Sequence, residues 1–204
     1  MTVIVDYGVG NLFSLLCSFH AVGENAVVSS DAEEILKAER IVLPGVGAFS
    51  DAALKLSKSG LDRAVVTAAK NKVPLLGICL GMQLLFDESY EYGVHKGLGL
   101  IRGKVTAIDD MGGRLKIPHI GWNALKIKDS PLFKYIKDGD HVYFVHSFAA
   151  TGCFKSVIAT TEYGATITAA VGENNVYGCQ FHPEKSGEVG LKILKAFSEL
   201  KKEK

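Results

Sequence analysis

The sequence has 204 residues, of which 48% are hydrophobic, and 23 Lys+Arg against 22 Asp+Glu leave a formal net charge of +1. This length supports one well-packed core, so we predict a single domain over residues 1–204. The balanced charge argues against nucleic acid or a membrane surface as partner, because such binding requires clustered Lys and Arg. No run approaches the about 18 apolar residues of a membrane span. Four scattered cysteines without a CxxC pair predict reduced thiols in a cytoplasmic protein.

The first 90 residues alternate short apolar runs, rich in β-branched side chains, with helical periodicity. Strands are predicted at residues 3–5, 26–28, 41–43 and 73–78. A helix is expected to start after Asn11 as its N-cap, another to span residues 31–38, and a third to end near Lys70. Strands that are apolar on both faces and separated by helices predict an α/β fold with three α/β/α layers and a parallel central sheet.

The second half of the chain has a different pattern. Strand-like stretches cover residues 100–108, 124–127, 142–148, 156–161, 166–171 and 176–181. Gly112-Gly113 and residues 173–175 are typical of hairpin turns. We therefore predict an antiparallel extension of the same sheet, followed by a closing helix from about Glu188.

A glycine-flanked cysteine lies directly after the fourth predicted strand. Residues 77–81 read Gly-Ile-Cys-Leu-Gly and precede a helix-like run, a pattern typical of a nucleophile elbow with Cys79 in the place of serine. Both glycines are needed because the turn brings strand and helix close together and strains the backbone of the nucleophile. The backbone N–H of Leu80 is then placed to donate to an oxyanion.

A thiol nucleophile needs a base, and the base needs a group that orients it. His182 follows the last predicted strand, and Glu184 lies two residues further on. Side chains at i and i+2 of an extended backbone point the same way, so Glu184 can hold one ring nitrogen of His182 and direct the other toward Cys79. Pro183 between them stiffens the link.

The third element is a glycine-rich loop at residues 44–47, just after the third predicted strand. Its backbone N–H groups, at Val46 and Gly47, are predicted to supply a second oxyanion donor. A phosphate-binding loop is disfavoured, since no Lys-Ser/Thr follows. No metal site is predicted, because the histidines and cysteines lack metal-ligand spacing, and no cofactor is expected.

Four segments together resemble the class I (triad) glutamine amidotransferases. They are residues 44–47, 77–83, 143–147 and 180–186. Residues 6–12 and 118–123 are similar to the members of that family that serve histidine biosynthesis, and this similarity extends over residues 3–197. The resemblance implies the three-layer fold of that family. It also implies glutamine hydrolysis to glutamate and ammonia by Cys79, His182 and Glu184.

The resemblance further implies which side chains bind glutamine and which face a partner. Glu88 is an alternative to Glu91 for the glutamine amino group. Glutamine would be held by Gln83, Glu91, His146, Ser147 and Phe148. The ammonia would pass to a cyclase subunit, a (β/α)8 barrel, in a heterodimer. Its interface would include Asn11, Trp122, Tyr143 and Lys185, although Trp122 could also be an ordinary core residue.

Other functions remain open at this point. A paralogue could supply ammonia to a different synthase, and an inactive scaffold could bind a partner without chemistry. A cysteine peptidase or esterase could use the same elbow, but would show no selectivity for glutamine.

Overall fold

The computed structural model describes residues 1–111 and 116–202, so the predicted turn at Gly112-Gly113 lies outside the described residues. A central sheet of eight strands dominates the fold. Its first five strands in spatial order are mutually parallel, and the last three continue the sheet antiparallel. Numbered along the chain, the strands of this sheet are β1 (Thr2–Val5), β2 (Ala26–Ser29), β3 (Arg40–Leu43), β4 (Leu75–Ile78), β9 (Lys126–Ile127), β12 (Val157–Glu162), β13 (Thr166–Glu173) and β14 (Val176–Cys179).

The spatial order is β2-β1-β3-β4-β14-β13-β12-β9. Strand β14 therefore inserts beside β4, although almost 100 residues separate them in sequence. As a result, the loops that follow β3, β4 and β14 meet at one edge of the sheet, since parallel strands end on the same side.

In the described part of the chain, six helices cover the two faces of this sheet. They are α1 (Leu12–Ala21), α2 (Ala32–Lys37), α3 (Phe49–Lys58), α4 (Leu61–Lys70), α5 (Leu80–Leu84) and α6 (Gly187–Ser198). Alternate residues of each strand enter opposite cores, as the pleat requires. Val3 and Val5 pack with α2, α3 and α4, whereas Ile4 packs with α1 and α6. The predicted three-layer α/β/α fold with an antiparallel extension is confirmed.

Two small sheets stand apart from the central sheet, and they contain the predicted strands at residues 100–108 and 142–148, whose assignment to the extension is wrong. Strand β8 (His119–Ala124) pairs with β10 (His141–His146) in an antiparallel ribbon. The other small sheet contains β5 (Glu88–Ser89), β6 (His95–Lys96), β7 (Lys104–Ala107) and β11 (Phe148–Thr151).

Hydrogen bonds to the loop after β14 explain why β10 does not join the central sheet. Its Tyr143 carbonyl accepts from the His182 amide at 3.0 Å, and the Tyr143 amide donates to Ser186 Oγ at 3.0 Å. The free edge of β10 is thus paired with the loop after β14 instead of with another strand. This pairing carries the ribbon to the edge of the sheet where the loops meet. Within the described part of the chain, no helix has the length and apolarity needed to cross a membrane.

Candidate active site

Cys79 occupies the turn between β4 and α5 with φ +53° and ψ −111°, a conformation that non-glycine residues rarely adopt. Strain of this kind costs about 1–3 kcal/mol and persists only where the surroundings impose it. The Cys79 amide donates to the Cys179 carbonyl of β14 at 2.7 Å, which ties the turn to the central sheet. The side chain is 7% exposed. The predicted nucleophile elbow is therefore present as a geometric feature.

The two flanking glycines make this turn possible. A Cβ added at Gly77 would lie 2.6 Å from the Gly81 carbonyl oxygen, and one added at Gly81 would overlap the Leu43 carbonyl of β3. Any larger residue at either position would force α5 away from the sheet. The helix itself is only five residues long and ends at Leu84, shorter than the predicted run to Phe86.

His182 and Glu184 form a buried pair behind this turn. His182 Nδ1 lies 2.8 Å from Glu184 Oε1, and the two side chains are 2% and 1% exposed. Glu184 Oε2 is buried and has no hydrogen-bond partner in the described structure. His182 lines the same pocket as Cys79. Thus the fold brings the His182–Glu184 pair next to a cysteine that lies about 100 positions earlier in the sequence.

The protonation of His182 reflects these neighbours. Burial opposes the charged ring, but the hydrogen bonds and charges of Cys79 and Glu184 outweigh it and raise the pKa of His182 to about 9. An imidazolium beside a thiol favours the thiolate, which is the nucleophilic form. The arrangement can therefore store a proton on His182 and deliver it to a leaving group.

The glycine-rich loop after β3 lies across from Cys79. Tyr7 donates its hydroxyl to the Pro44 carbonyl at 2.6 Å and fixes the start of the loop. Burial, and secondly the charge of Cys79, raise the pKa of Tyr7 above its usual range. Gly47 has φ +92°. Leu80 is the first residue of α5, so its amide has no acceptor within the helix.

A pocket of about 390 Å³ opens at this edge of the sheet. Cys79 and His182 line it, while Glu184 lies behind His182. All three oxyanion candidates and all five predicted glutamine contacts also line it: Val46, Gly47, Leu80, Gln83, Glu91, His146, Ser147 and Phe148. The structure thus collects these residues, from five separate segments, around one cavity that can hold a small amide substrate.

The two acidic candidates for the amino group differ in position. Glu91 lines the pocket, and its Oε2 accepts from the Phe49 amide at the start of α3 at 2.7 Å. Glu88 instead accepts from the exposed Tyr90 hydroxyl at 2.8 Å and is absent from the pocket lining. Because Glu91 lines the pocket and Glu88 does not, the geometry favours Glu91 as the candidate for the amino group.

His146 belongs to a buried chain of polar contacts. Its Nδ1 donates to the Phe148 carbonyl at 2.8 Å, since a carbonyl can only accept, and its Nε2 lies 3.0 Å from His119 Nδ1. His119 stacks on Tyr163 and Phe144 and lies 2.9 Å from Asn123 Oδ1. Burial lowers the pKa of both histidines, that of His146 to about 4. His146 is consequently a neutral, fixed wall of the pocket.

The four predicted interface residues lie at the surface or close to it. Trp122 is 54% exposed, so it is not an ordinary core residue, and its ring meets that of Tyr143 edge-on at 6.0 Å across the β8–β10 ribbon. Lys185 is exposed at the rim of the pocket. Asn11 holds the N-cap position of α1, but its side chain makes no capping hydrogen bond, contrary to the expected role. These residues are therefore available for contact with another molecule.

Sequence reasoning assigned no role to Gln180, whose buried side chain lies between Gln83 and Cys79. The i, i+2 pattern that connects His182 and Glu184 extends back to Gln180 and was the available signal. In the described residues, no group of three or more His, Cys, Asp and Glu is arranged to hold a metal ion.

Comparison with known proteins places this geometry in a family. Residues 3–199 match the family model described as glutamine amidotransferase class-I. A crystal structure of a glutamine amidotransferase superposes with a TM-score of 0.75 at 17% identity, covering 97% of this chain and 99% of that one. A second structure, PurLQS from Thermotoga maritima, gives a TM-score of 0.72 at 20% identity, covering 96% of each chain. The chain belongs to the class-I glutamine amidotransferases.

Sequence relatives narrow the assignment. The imidazole glycerol phosphate synthase subunit HisH of Lactococcus lactis subsp. lactis (strain IL1403) is 51% identical over 199 residues, or 97% of each chain. The HisH subunit of Caldanaerobacter subterraneus subsp. tengcongensis (strain DSM 15242 / JCM 11007 / NBRC 100824 / MB4) is 50% identical over 202 residues, or 98% of each chain. Within the class, the chain belongs to this family of HisH subunits. The family resemblance inferred from the motifs is confirmed.

Proposed function

We propose that this chain hydrolyses glutamine with Cys79, His182 and Glu184 and passes the ammonia to a (β/α)8-barrel cyclase subunit in a cytoplasmic heterodimer. The cyclase would use it to make imidazole glycerol phosphate and aminoimidazole carboxamide ribotide in histidine biosynthesis. One observation carries the glutaminase proposal. The strained Cys79, the buried His182–Glu184 pair and the glycine-rich loop surround a single pocket. The HisH relatives support the synthase assignment.

The proposed reaction has two halves. The Cys79 thiolate attacks the side-chain carboxamide carbon of glutamine and forms a C–S bond, and the negative charge moves to the oxygen. When the tetrahedral intermediate collapses, the C–N bond breaks and His182 gives its proton to the departing ammonia. Water, deprotonated by His182, then attacks the thioester. This second attack releases glutamate and restores the thiol, while Glu184 orients the ring throughout.

The oxyanion would be held by backbone donors on two sides. The Leu80 amide lies at the start of α5, and the Val46-Gly47 loop faces it across the pocket. Removing one such donor typically costs about 3 kcal/mol of transition-state stabilisation. Val46 is 42% exposed, so a docked partner could contact the loop directly. We therefore expect the partner to influence catalysis through this loop.

Substrate binding would use the remaining pocket residues. Glu91 would face the amino group of glutamine, because a carboxylate pairs with an ammonium. Gln83 and the residues 146–148 would contact the amide and the carboxylate end. The exposed ribbon face with Trp122 and Tyr143, next to Lys185, would bind the cyclase. Released ammonia would then pass to the cyclase without meeting bulk water, in which it would be protonated.

The test is the rate of glutamine hydrolysis, measured with and without the cyclase subunit and its nucleotide ligand. We expect slow hydrolysis by the chain alone and an increase by orders of magnitude in the complex. Cys79→Ser should abolish it, whereas Cys17→Ser, on the exposed face of α1, serves as the matched control and should retain it. Equal rates with and without the cyclase would contradict the synthase assignment.

Two further measurements distinguish the alternatives. Failure to complement a histidine auxotroph, with hydrolysis intact, would point to a paralogue that serves a different synthase. Mass spectrometry after treatment with a glutamine-analogue electrophile tests the scaffold alternative, because an unlabelled Cys79 in the assembled complex would mean that the site is inactive.

A further inference from the structure

Gln180 is a fully buried amide directly after β14, with 0% of its surface exposed. Its Nε2 lies 3.7 Å from Cys79 Sγ, and its Oε1 lies 3.0 Å from Gln83 Nε2. A buried amide of this kind is normally hydrogen-bonded for structural reasons. Here, however, one of its contacts is the reacting sulfur atom itself.

The orientation of this amide follows from a chain of contacts that begins at a backbone carbonyl. The Phe148 carbonyl can only accept, and it lies 3.0 Å from Gln83 Nε2, so the Gln83 amide must present its nitrogen there. The same nitrogen then donates its second hydrogen to Gln180, which must present its oxygen to Gln83. By elimination, the Gln180 nitrogen faces Cys79.

The surroundings of Cys79 Sγ explain why an N–H donor from Gln180 would stabilise its thiolate. Cys79 Sγ also lies 4.0 Å from the Val145 carbonyl, which can accept from the thiol but repels a thiolate. The titratable side chains that interact with the charge of Cys79 are His182, from the loop after β14, and Tyr7, from the loop after β1. The sulfur carries negative charge as a thiolate before it attacks and again when the thioester bond breaks, whereas the thioester in between is neutral. At both charged stages a neutral N–H donor adds to the stabilisation that the His182 imidazolium provides.

We propose that Gln180 is a further catalytic residue, whose side-chain N–H donates to Cys79 Sγ and stabilises the thiolate. The inference rests on the proposed glutaminase function for its role in turnover. The same contacts assign the substrate-facing atom of Gln83. Because its nitrogen is used by Phe148 and Gln180, its oxygen is the atom left to accept from glutamine.

The test is the pH profile of Cys79 alkylation by iodoacetamide, followed at single cysteines by peptide mass spectrometry on the full chain without glutamine or cyclase. In Gln180→Leu, which removes the donor at similar volume, we expect the pH midpoint of alkylation to rise by about one unit. At a pH below the midpoint, the rate should fall about tenfold. The exposed Cys17 of the same molecule is the internal reference, and its rate should not change.

A second variant isolates the donor from the packing. Gln180→Glu keeps an oxygen for Gln83 but replaces the N–H with a carboxylate oxygen, so the midpoint should rise at least as far as in the leucine variant. Gln180→Glu also provides the test on its own if Gln180→Leu does not fold. Asn175→Leu is the matched structural control, because Asn175 precedes β14 and its partly buried side-chain nitrogen donates to the Ala69 and Val73 carbonyls, away from Cys79. The control should keep the wild-type midpoint.

A folded Gln180 variant with an unchanged midpoint for Cys79 would overturn the proposal and leave Gln180 a purely structural amide. This outcome is separable from failure of the proposed function. Alkylation needs neither glutamine nor a partner, so a shifted midpoint without any glutamine hydrolysis would sustain the role of Gln180 and refute the glutaminase proposal. In the active complex, the kcat of glutamine hydrolysis should fall while KM stays close to the wild-type value.

Discussion

Cys79, the proposed nucleophile, and His182, its proposed base, are held in place by different physical means. Cys79 is positioned by backbone sterics, because Gly77 and Gly81 let strand, turn and helix pack with no room for a Cβ. His182 is positioned by polar side chains. Glu184 holds the Nδ1 nitrogen of its ring, and Ser186 donates its hydroxyl to the His182 carbonyl at 2.6 Å.

This difference predicts how substitutions around Cys79 and around His182 affect stability and activity. A side chain added in the tightly packed turn at Cys79 displaces the strand and the helix together, so it should lower both the stability of the fold and the rate of hydrolysis. Loss of one side-chain hydrogen bond to His182 should change the stability little, because the His182 backbone still hydrogen-bonds β10. Substitutions on the two sides should therefore separate stability from activity.

The largest effect is expected for Gly81→Ala in the elbow. The new methyl group overlaps the Leu43 carbonyl, which is backbone and cannot rotate away, so we expect a loss of at least about 4 kcal/mol in the free energy of unfolding and no hydrolysis. Urea denaturation measures the first quantity. Gly139→Ala is the control for an added methyl group without a clash, since its surroundings are open and only its φ of +87° disfavours alanine. Similar losses in both variants would refute a steric origin.

At His182, the substitution Glu184→Gln should lower the activity while leaving the stability of the fold almost unchanged. An amide oxygen can still accept from His182 Nδ1, but it does not stabilise the imidazolium, so we expect kcat to fall about 10³-fold. The free energy of unfolding should change by less than about 1 kcal/mol, because a buried carboxylate with one unpaired oxygen is itself costly. Glu188→Gln, in an exposed ion pair with Lys192, is the control and should keep full activity. If Glu184→Gln lost as much stability as Gly81→Ala, the proposed difference between steric positioning of Cys79 and polar positioning of His182 would be contradicted.

The smallest expected effect is on the pH dependence of stability, because the pKa values of His146 and His182 are shifted in opposite directions. The pKa of His146 is lowered to about 4, below the 6.5 of an unfolded chain, so its contribution to stability is complete above pH 6.5 and is lost as the pH falls toward 4. A shift of this size corresponds to about 3 kcal/mol. The pKa of His182 is raised to about 9, so its contribution is present below pH 6.5 and is lost as the pH rises through 9.

Urea denaturation between pH 4 and pH 9 checks both signs. We expect His146→Gln to flatten the acid side of the profile, and His182→Gln to flatten the alkaline side. His141→Gln, at the exposed start of β10, is the matched control for loss of an imidazole. An acid side that is as steep in His146→Gln as in the wild type would contradict the assignment of that slope to His146.

The parallel half of the fold was predictable because its signals are local. Apolar strands, helical periodicity and the glycines around Cys79 each lie within a few residues, and the observed β1, β3 and β4 lie at the predicted places. The second half was less predictable. Its predicted strands have similar sequence patterns, yet among the described residues of this half β9, β12, β13 and β14 join the central sheet and the others do not. Which strand pairs with which depends on the loop of residues 182–186, which occupies the free edge of β10.

A reading of the sequence alone predicts the family, the three-layer fold and the candidate roles of Cys79, His182 and Glu184, because each prediction depends on a short motif with local geometry. The pocket lining that includes Glu91 and not Glu88, the exposure of Trp122 and the place of Gln180 beside Cys79 appear only in the three-dimensional arrangement. The reason is that these features depend on side chains from distant segments meeting at one edge of the sheet, where β14 inserts beside β4. No local spacing encodes that meeting.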